Sequence, residues 1–241
     1  MAVPQLSQHS LSRADGSATF ANNLYSILAA VNGPVEVQRR DELPEEAAVE
    51  VNIRPSSGIG GPRERWLESV VQSVLRSVLL VHLHPRTLIQ VTLQVTKEPS
   101  LKMRKSTEDI AVIPSLVNAA YLALVDGGLP LSTAMTATLI VVASDGKQTN
   151  DPNVKQLSNS NSVHAIAHNR HGELLLNESS GKFSLEEWEE VADQAQKACM
   201  AAMAPISEDD SMINGNAESE PWLRQALEEK VREANAWREA T

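Results

Sequence analysis

Two histidine pairs are the first residues in this 241-residue chain whose spacing could hold a metal. His82 and His84 stand two apart beside Pro85, and His164 and His168 stand four apart in a run that reads as a strand. A protein zinc site takes three or four such donors, and neither pair has a third nearby, so both read as packed or solvent-facing histidines. Glu108-Asp109 closes a basic stretch and reads as a solvated charge run. Cys199 is the single cysteine, so no intrachain disulfide or cysteine-based metal site can form. It falls on the apolar side of an expected helix, where a lone thiol packs as a small hydrophobe. The phosphate-cradling GxxxxGK[ST], the dinucleotide GxGxxG and the nucleophile elbow GxSxG are all missing. Residue chemistry by itself therefore implies neither metal nor cofactor, only a soluble α/β domain.

The elements that would position any site are easier to read. At 26.2 kDa and 42% hydrophobic residues, the chain fits one large domain, or a domain with an appendage. Only 3% of residues are aromatic, so the core must be built of Val, Leu, Ile and Ala. The net charge of −10 argues against binding nucleic acid by bulk attraction, which needs clustered Lys and Arg. No stretch reaches the ~20 apolar residues of a membrane span, and Met-Ala-Val-Pro-Gln carries no secretory pattern. No membrane partner is expected, and the single cysteine fits a reducing, intracellular setting.

Residues 62–79 carry apolar pairs at 66/67, 70/71, 74/75 and 78/79, which predicts an amphipathic helix with Pro62 in its first turn. Before it, residues 7–20 read as a strand leading to an Asp15-Gly16 turn. The run 24–31 ends at Gly33-Pro34, a short strand starts at Val35, and 47–54 alternates as a half-buried strand. After it, 88–95 reads as a strand, 97–109 as an exposed loop with four bases, and 114–126 as a buried helix. Thr136–Ala143 reads as a strand ending at Asp145-Gly146, and 163–168 and 173–177 as a hairpin. Ser184-Leu185-Glu186-Glu187 is a capping box opening a helix that Pro205 stops. The expected organisation is a domain over 1–205, an acidic linker over 206–220 and an amphipathic helix over 221–241. Residues 205–241 hold nine acids against four bases. The last helix either folds back on its own domain or serves a partner on a tether. Strands before and between a few helices give a mixed α/β (α+β) class.

Several blocks together resemble a known family. Leu11-Ser12-Arg13-Ala14-Asp15-Gly16-Ser17-Ala18, Ala29 to Val37 and Val51-Asn52-Ile53-Arg54-Pro55 look like the opening of an RNase PH domain. His84-Pro85-Arg86-Thr87, Asn118-Ala119-Ala120, Ala123 to Pro130, Ser144-Asp145-Gly146 and Asp151-Pro152 extend the likeness over about residues 6–204. It is nearest to the minimal, single-domain ring subunits of the eukaryotic RNA exosome. The resemblance implies an RNase PH-like fold with βαβ units like those of ribosomal protein S5 domain 2.

Active members of that family use phosphate to cleave the 3′ linkage of RNA, with a phosphate-binding Arg and Ser/Thr cluster and two aspartates. Asp151 matches the first aspartate, but six residues on stands Leu157, whose alkyl side chain can neither bind a metal nor shuttle a proton. The Gly-Arg-Thr before the long helix is Gly60-Gly61-Pro62 here, with Arg63 displaced, and residues 97–109 replace the Gly-Gly-Thr-Arg-Thr block. By resemblance, then, the chain is a non-catalytic ring subunit with a vestigial Asp151. Its implied partners are other RNase PH-like subunits in a six-membered ring, S1/KH-type cap proteins, an associated exoribonuclease and single-stranded RNA in the central channel. The implied location is the nucleus and nucleolus, and also the cytoplasm. The candidate RNA contacts are Arg63, Arg65, Lys102, Arg104 and Lys105. Two rivals stand beside this reading. One is a homodimeric, phosphate-independent nuclease using Asp151 and an acid such as Asp145; the other is a stand-alone RNA-binding module.

Overall fold

The computed structural model describes residues 4–101, 104–204 and 221–239; the expected linker 206–220 and Lys102 lie outside them. The first sheet holds β1 (Gln5–Gln8), β2 (Gly16–Ala21), β3 (Ser26–Glu36), β4 (Ala48–Arg54) and β5 (Thr87–Lys97), in the order β1-β2-β3-β5-β4. Its pairs are antiparallel except β4 with β5. Parallel neighbours need a crossover, and α1 (Pro62–Val78) supplies it. Two side chains of α1 also cover the free edge of β4. Gln72 Nε2 donates to the Val49 carbonyl at 2.5 Å, and the Ile53 N–H donates to Glu68 Oε1 at 2.8 Å. These bonds take two of the edge's backbone groups and so blunt it as a template for another chain.

The second sheet is antiparallel throughout. It holds β6 (Met135–Ala143), β7 (Gln148–Asn150), β8 (Ser160–Asn169) and β9 (Leu174–Gly181), in the order β7-β6-β8-β9. The short α3 (Val154–Ser158) links β7 to β8. Between the sheets runs α2 (Lys105–Asp126), whose residues 110–124 are all buried. Asn118 fastens it to β6: its amide donates to the Ala137 carbonyl and accepts the Ala137 N–H, both at 2.9 Å. At the other end of α2, Gly16 lets β2 approach closely, since a Cβ there would sit 2.3 Å from the Ala123 carbonyl oxygen. On the outer face of the second sheet, α4 (Leu185–Ala202) packs Val191 and Ala195 on Ile140, Val142 and Ile166. Its Ser184 cap forms as the sequence predicts, with Ser184 Oγ accepting the Glu187 N–H at 3.2 Å.

Four expectations are corrected. The helix read over 114–126 starts at Lys105, so residues 105–109 of the predicted 97–109 loop are helix and Lys97 is strand; Ile110, Val112 and Ile113 are buried and carry the helix back past Pro114. That 22-residue helix is long and apolar enough to cross a membrane by composition, yet it lies buried between two sheets as a core helix. Gly33-Pro34 does not end a strand; β3 continues through it with a register shift between Asn32 and Val35. Asp15-Gly16 closes a longer turn from His9, and β2 begins at Gly16 itself. As for the last helix, α5 (Trp222–Glu239) folds back onto the domain, with Leu223 and Ala226 buried in the main core.

Candidate functional site

The residues singled out by the sequence fall into two places, the paired N-termini of α1 and α2 and the turn after β7. At the first, Pro62 occupies the first helical position, as its missing N–H favours. Glu64 lies three residues after the cap residue Gly61 and accepts its N–H at 2.6 Å through Oε2. Arg63 is pinned sideways, its Nε bonded to Asp109 Oδ1 of α2 and its Nη1 3.8 Å from Glu64 Oε1. Tyr25, Pro55, Leu67, Val95, Glu98 and Leu116 close in around this cluster and leave about 10 Å³ of space, roughly one water at most. Burial pushes the Tyr25 hydroxyl well above its ordinary pKa, against the pull of Arg63.

The positive end of a helix and an arginine beside it would ordinarily attract an anion. Here protein carboxylates hold both positions. Glu64 takes the cap N–H and Asp109 takes the guanidinium, with Glu98 in the same wall. A free phosphate would meet like charge and find no volume.

At the second place, Asp151 follows β7 in a left-handed conformation (φ 48°), and its N–H donates to the Leu139 carbonyl at 3.2 Å. Among the described residues its carboxylate has no hydrogen bond or ion pair, and burial raises its pKa to about 6. Leu157, where a partner carboxylate is expected, is 1% exposed and belongs to the main core. The position is closed by the fold as well as changed in chemistry. Asp145 sits in the β6–β7 turn, accepting the Lys147 N–H at 3.0 Å. The length of β7 separates it from Asp151, about 10 Å at the rise of a strand. These two acids cannot share one ion.

The remaining candidates scatter. Arg65, Arg104 and Lys105 are exposed, the last two at the start of α2, while Arg63 is consumed in its ion pair. His82 lies in a 3₁₀ turn at the surface, and His84 gives its carbonyl to Thr87 Oγ1 at 2.7 Å. His164 and His168 are both buried on the α4 side of β8. His164 bridges Ser179 Oγ at 2.8 Å and Ser162 Oγ at 2.9 Å, and burial lowers its pKa to about 4. Cys199 packs beneath α4 with its thiol 3.4 Å from the Thr136 carbonyl, and burial raises its pKa to about 12. Among the described residues no three acidic, histidine or cysteine side chains converge as a metal site would require.

Sequence reasoning missed Glu64, Asp109 and Asp126 as organising acids. The first had a local signal, an acid three residues past the cap. The Arg63–Asp109 pair spans 46 residues and had none.

Residues 5–130 match the 3′ exoribonuclease family, domain 1. The chain is 30% identical over 203 residues to the exosome complex component RRP46 of Saccharomyces cerevisiae, covering 81% of this chain and 90% of that one. It is 36% identical over 143 residues to the Oryza sativa protein named exosome complex exonuclease RRP46 homolog, covering 59% and 56%. The crystal structure of rice Rrp46 superimposes with a TM-score of 0.72 at 29% identity, covering 81% of this chain and 88% of that one. With the two sheets and the central α2 in place, the chain belongs to the RNase PH family of 3′ exoribonucleases.

Proposed function

We propose that this chain is a structural, catalytically inactive RNase PH-like ring subunit of the RNA exosome, helping form a channel that guides single-stranded RNA to an associated 3′–5′ exoribonuclease. The observation that carries the inactivity is the self-filled α1 N-terminus, where Glu64 and Asp109 occupy the positions an attacking phosphate would need. The burial of Leu157 supports it, because the position where a second carboxylate would join Asp151 holds a core alkyl side chain. The relatives' names support the assembly. In this reading the partners are other RNase PH-like subunits, S1/KH-type cap proteins and the nuclease itself, in the nucleus, nucleolus and cytoplasm. Arg65, Arg104 and Lys105 are exposed and free to touch backbone phosphates, as a threading channel needs only a few placed cations. Lys102 joins them from outside the described residues, whereas Arg63 is held by Asp109 and is left out of this set.

The test takes the tagged protein purified gently from its own cells. Native mass spectrometry should find it in an assembly many times 26.2 kDa that contains other RNase PH-like chains. The purified chain alone should release no nucleoside diphosphate from 3′-labelled RNA in phosphate buffer. A monomer or homodimer as the main species, or phosphate-dependent release that Asp151→Asn abolishes, overturns the reading.

A further inference from the structure

The C-terminal end of α2 carries a second charged cluster that the ring-subunit reading does not use. The Asp126 side chain is fully buried, and three separate parts of the chain meet on it. The Ser17 N–H of β2 donates to Oδ2 at 2.8 Å, His9 Nδ1 of the N-terminal turn lies 3.5 Å from Oδ2, and the Lys230 ammonium of α5 binds Oδ1. Burial opposes charge on Asp126, but Lys230, the Ser17 N–H and His9 together outweigh it and hold the carboxyl below its ordinary pKa.

The docking of α5 is otherwise slight. Leu223 and Ala226 are its buried residues among those described, and Trp222 tilts against Phe20 with ring centroids 5.5 Å apart. Beyond Lys230, Val231 is 60% and Trp237 68% exposed. Most of a helix's stability in a protein comes from packing its amphipathic face, so α5 depends on what it docks against. Two buried side chains, the partly buried Trp222 and Leu227, and one charge pair hold it.

We propose that α5 is a detachable latch, held on the domain by the Lys230–Asp126 pair and released when the Lys230 charge is lost. Release leaves Asp126 with the Ser17 N–H and His9, so the carboxylate is not stranded and the domain keeps its fold. The freed element is an amphipathic helix presenting Trp222, Leu223, Ala226, Leu227 and Val231 along one side. The two states differ by one charged contact and a short apolar seam, which is what a switch requires. This inference stands on α5 alone and does not depend on the ring-subunit reading.

Hydrogen exchange by mass spectrometry on the full chain tests it, comparing wild type with Lys230→Gln and Lys230→Arg. Amides of residues 222–230 should exchange at least about tenfold faster in Lys230→Gln, as expected for losing one charged hydrogen bond. Lys230→Arg should keep most of the protection, and the amides of α2 and β6 should be unchanged in both. Unaltered protection of 222–230 in Lys230→Gln overturns the latch. Protection lost in α2 and β6 together with α5 also overturns it, because α5 would then be an integral part of the core.

Discussion

The two ends of α2 each carry an aspartate paired with a cation, and the two pairs do opposite things. Asp109, near the start, is 26% exposed in its side chain and meets Arg63 at the mouth of what could have been an anion site. Asp126, at the end, is fully buried and gathers β2, the N-terminal turn and α5 around one carboxylate. The first pair closes a site and contributes little to the fold; the second ties separate segments together. Burial of the carboxylate decides the difference, since water screens both members of the first pair but in the second reaches only the cations, not Asp126. A carboxylate's effect on this protein should therefore scale with its burial and with the partners left to it.

The strongest way to break that rule is to bury a carboxylate with no partner. Leu157→Asp places one in the main core, and it should destabilise the protein by about 4 kcal/mol or more, or prevent folding. Urea unfolding measures this, and a variant within about 1 kcal/mol of wild type would show that the pocket opens to water. Next comes Asp126→Ala, which takes the shared acceptor from Ser17, His9 and Lys230. It should cost about 3 kcal/mol at neutral pH, in the range for breaking a buried pair. Because the folded pKa of Asp126 is depressed, its contribution is complete above the ordinary carboxylate range and is lost on acidification. The wild type and Asp126→Ala should thus converge in stability at low pH.

How far such sites were legible in the sequence follows from the same distinction. Local rules served where one segment decides its own structure. The paired apolar spacing of α1, Pro62 at its first position and the Ser184 capping box all stand as read. The start of α2 was hidden because the bases and Pro114 read as loop, whereas the burial of Ile110, Val112 and Ile113 is a tertiary fact. The continuation of β3 through Gly33-Pro34 was hidden for the same reason, as pairing with β5 holds it. At the candidate site, Leu157 in place of an acid was visible from the family blocks. The carboxylates that fill the anion position were not, because Asp109 reaches Arg63 only once two helices pack.

Asp151 sharpens the comparison from the other side, as a largely buried carboxylate with no partner among the described residues. Its pKa of about 6 exceeds the unfolded value of 3.8, so between those pH values the native state holds more protons than the unfolded one. Stability from this group therefore falls as pH rises through that window, and the penalty is complete above about pH 6. Asp151→Asn mimics the protonated form. It should stabilise the protein by about 1–2 kcal/mol at pH 7 and by almost nothing at pH 4. Thermal unfolding across pH reads the difference directly. A constant offset at both pH values would mean that the substitution acts through packing instead of charge.

The smallest effect belongs to Asp109→Asn. The pair with Arg63 is partly exposed, so its loss should change stability by no more than about 1 kcal/mol, and less at high salt. Its informative readout is anion binding. Removing Asp109 frees the guanidinium at the head of α1, but Glu64 still occupies the Gly61 N–H and the cavity stays near 10 Å³. Titration with inorganic phosphate, followed by the chemical shift of the Arg63 side chain, should show no saturable binding in Asp109→Asn. Binding should emerge only when Glu64→Ala is added, which frees the Gly61 N–H and opens the volume that the Glu64 side chain fills. Should the single variant bind phosphate tightly, Asp109 alone guards the site, and Glu64 is an ordinary helix cap.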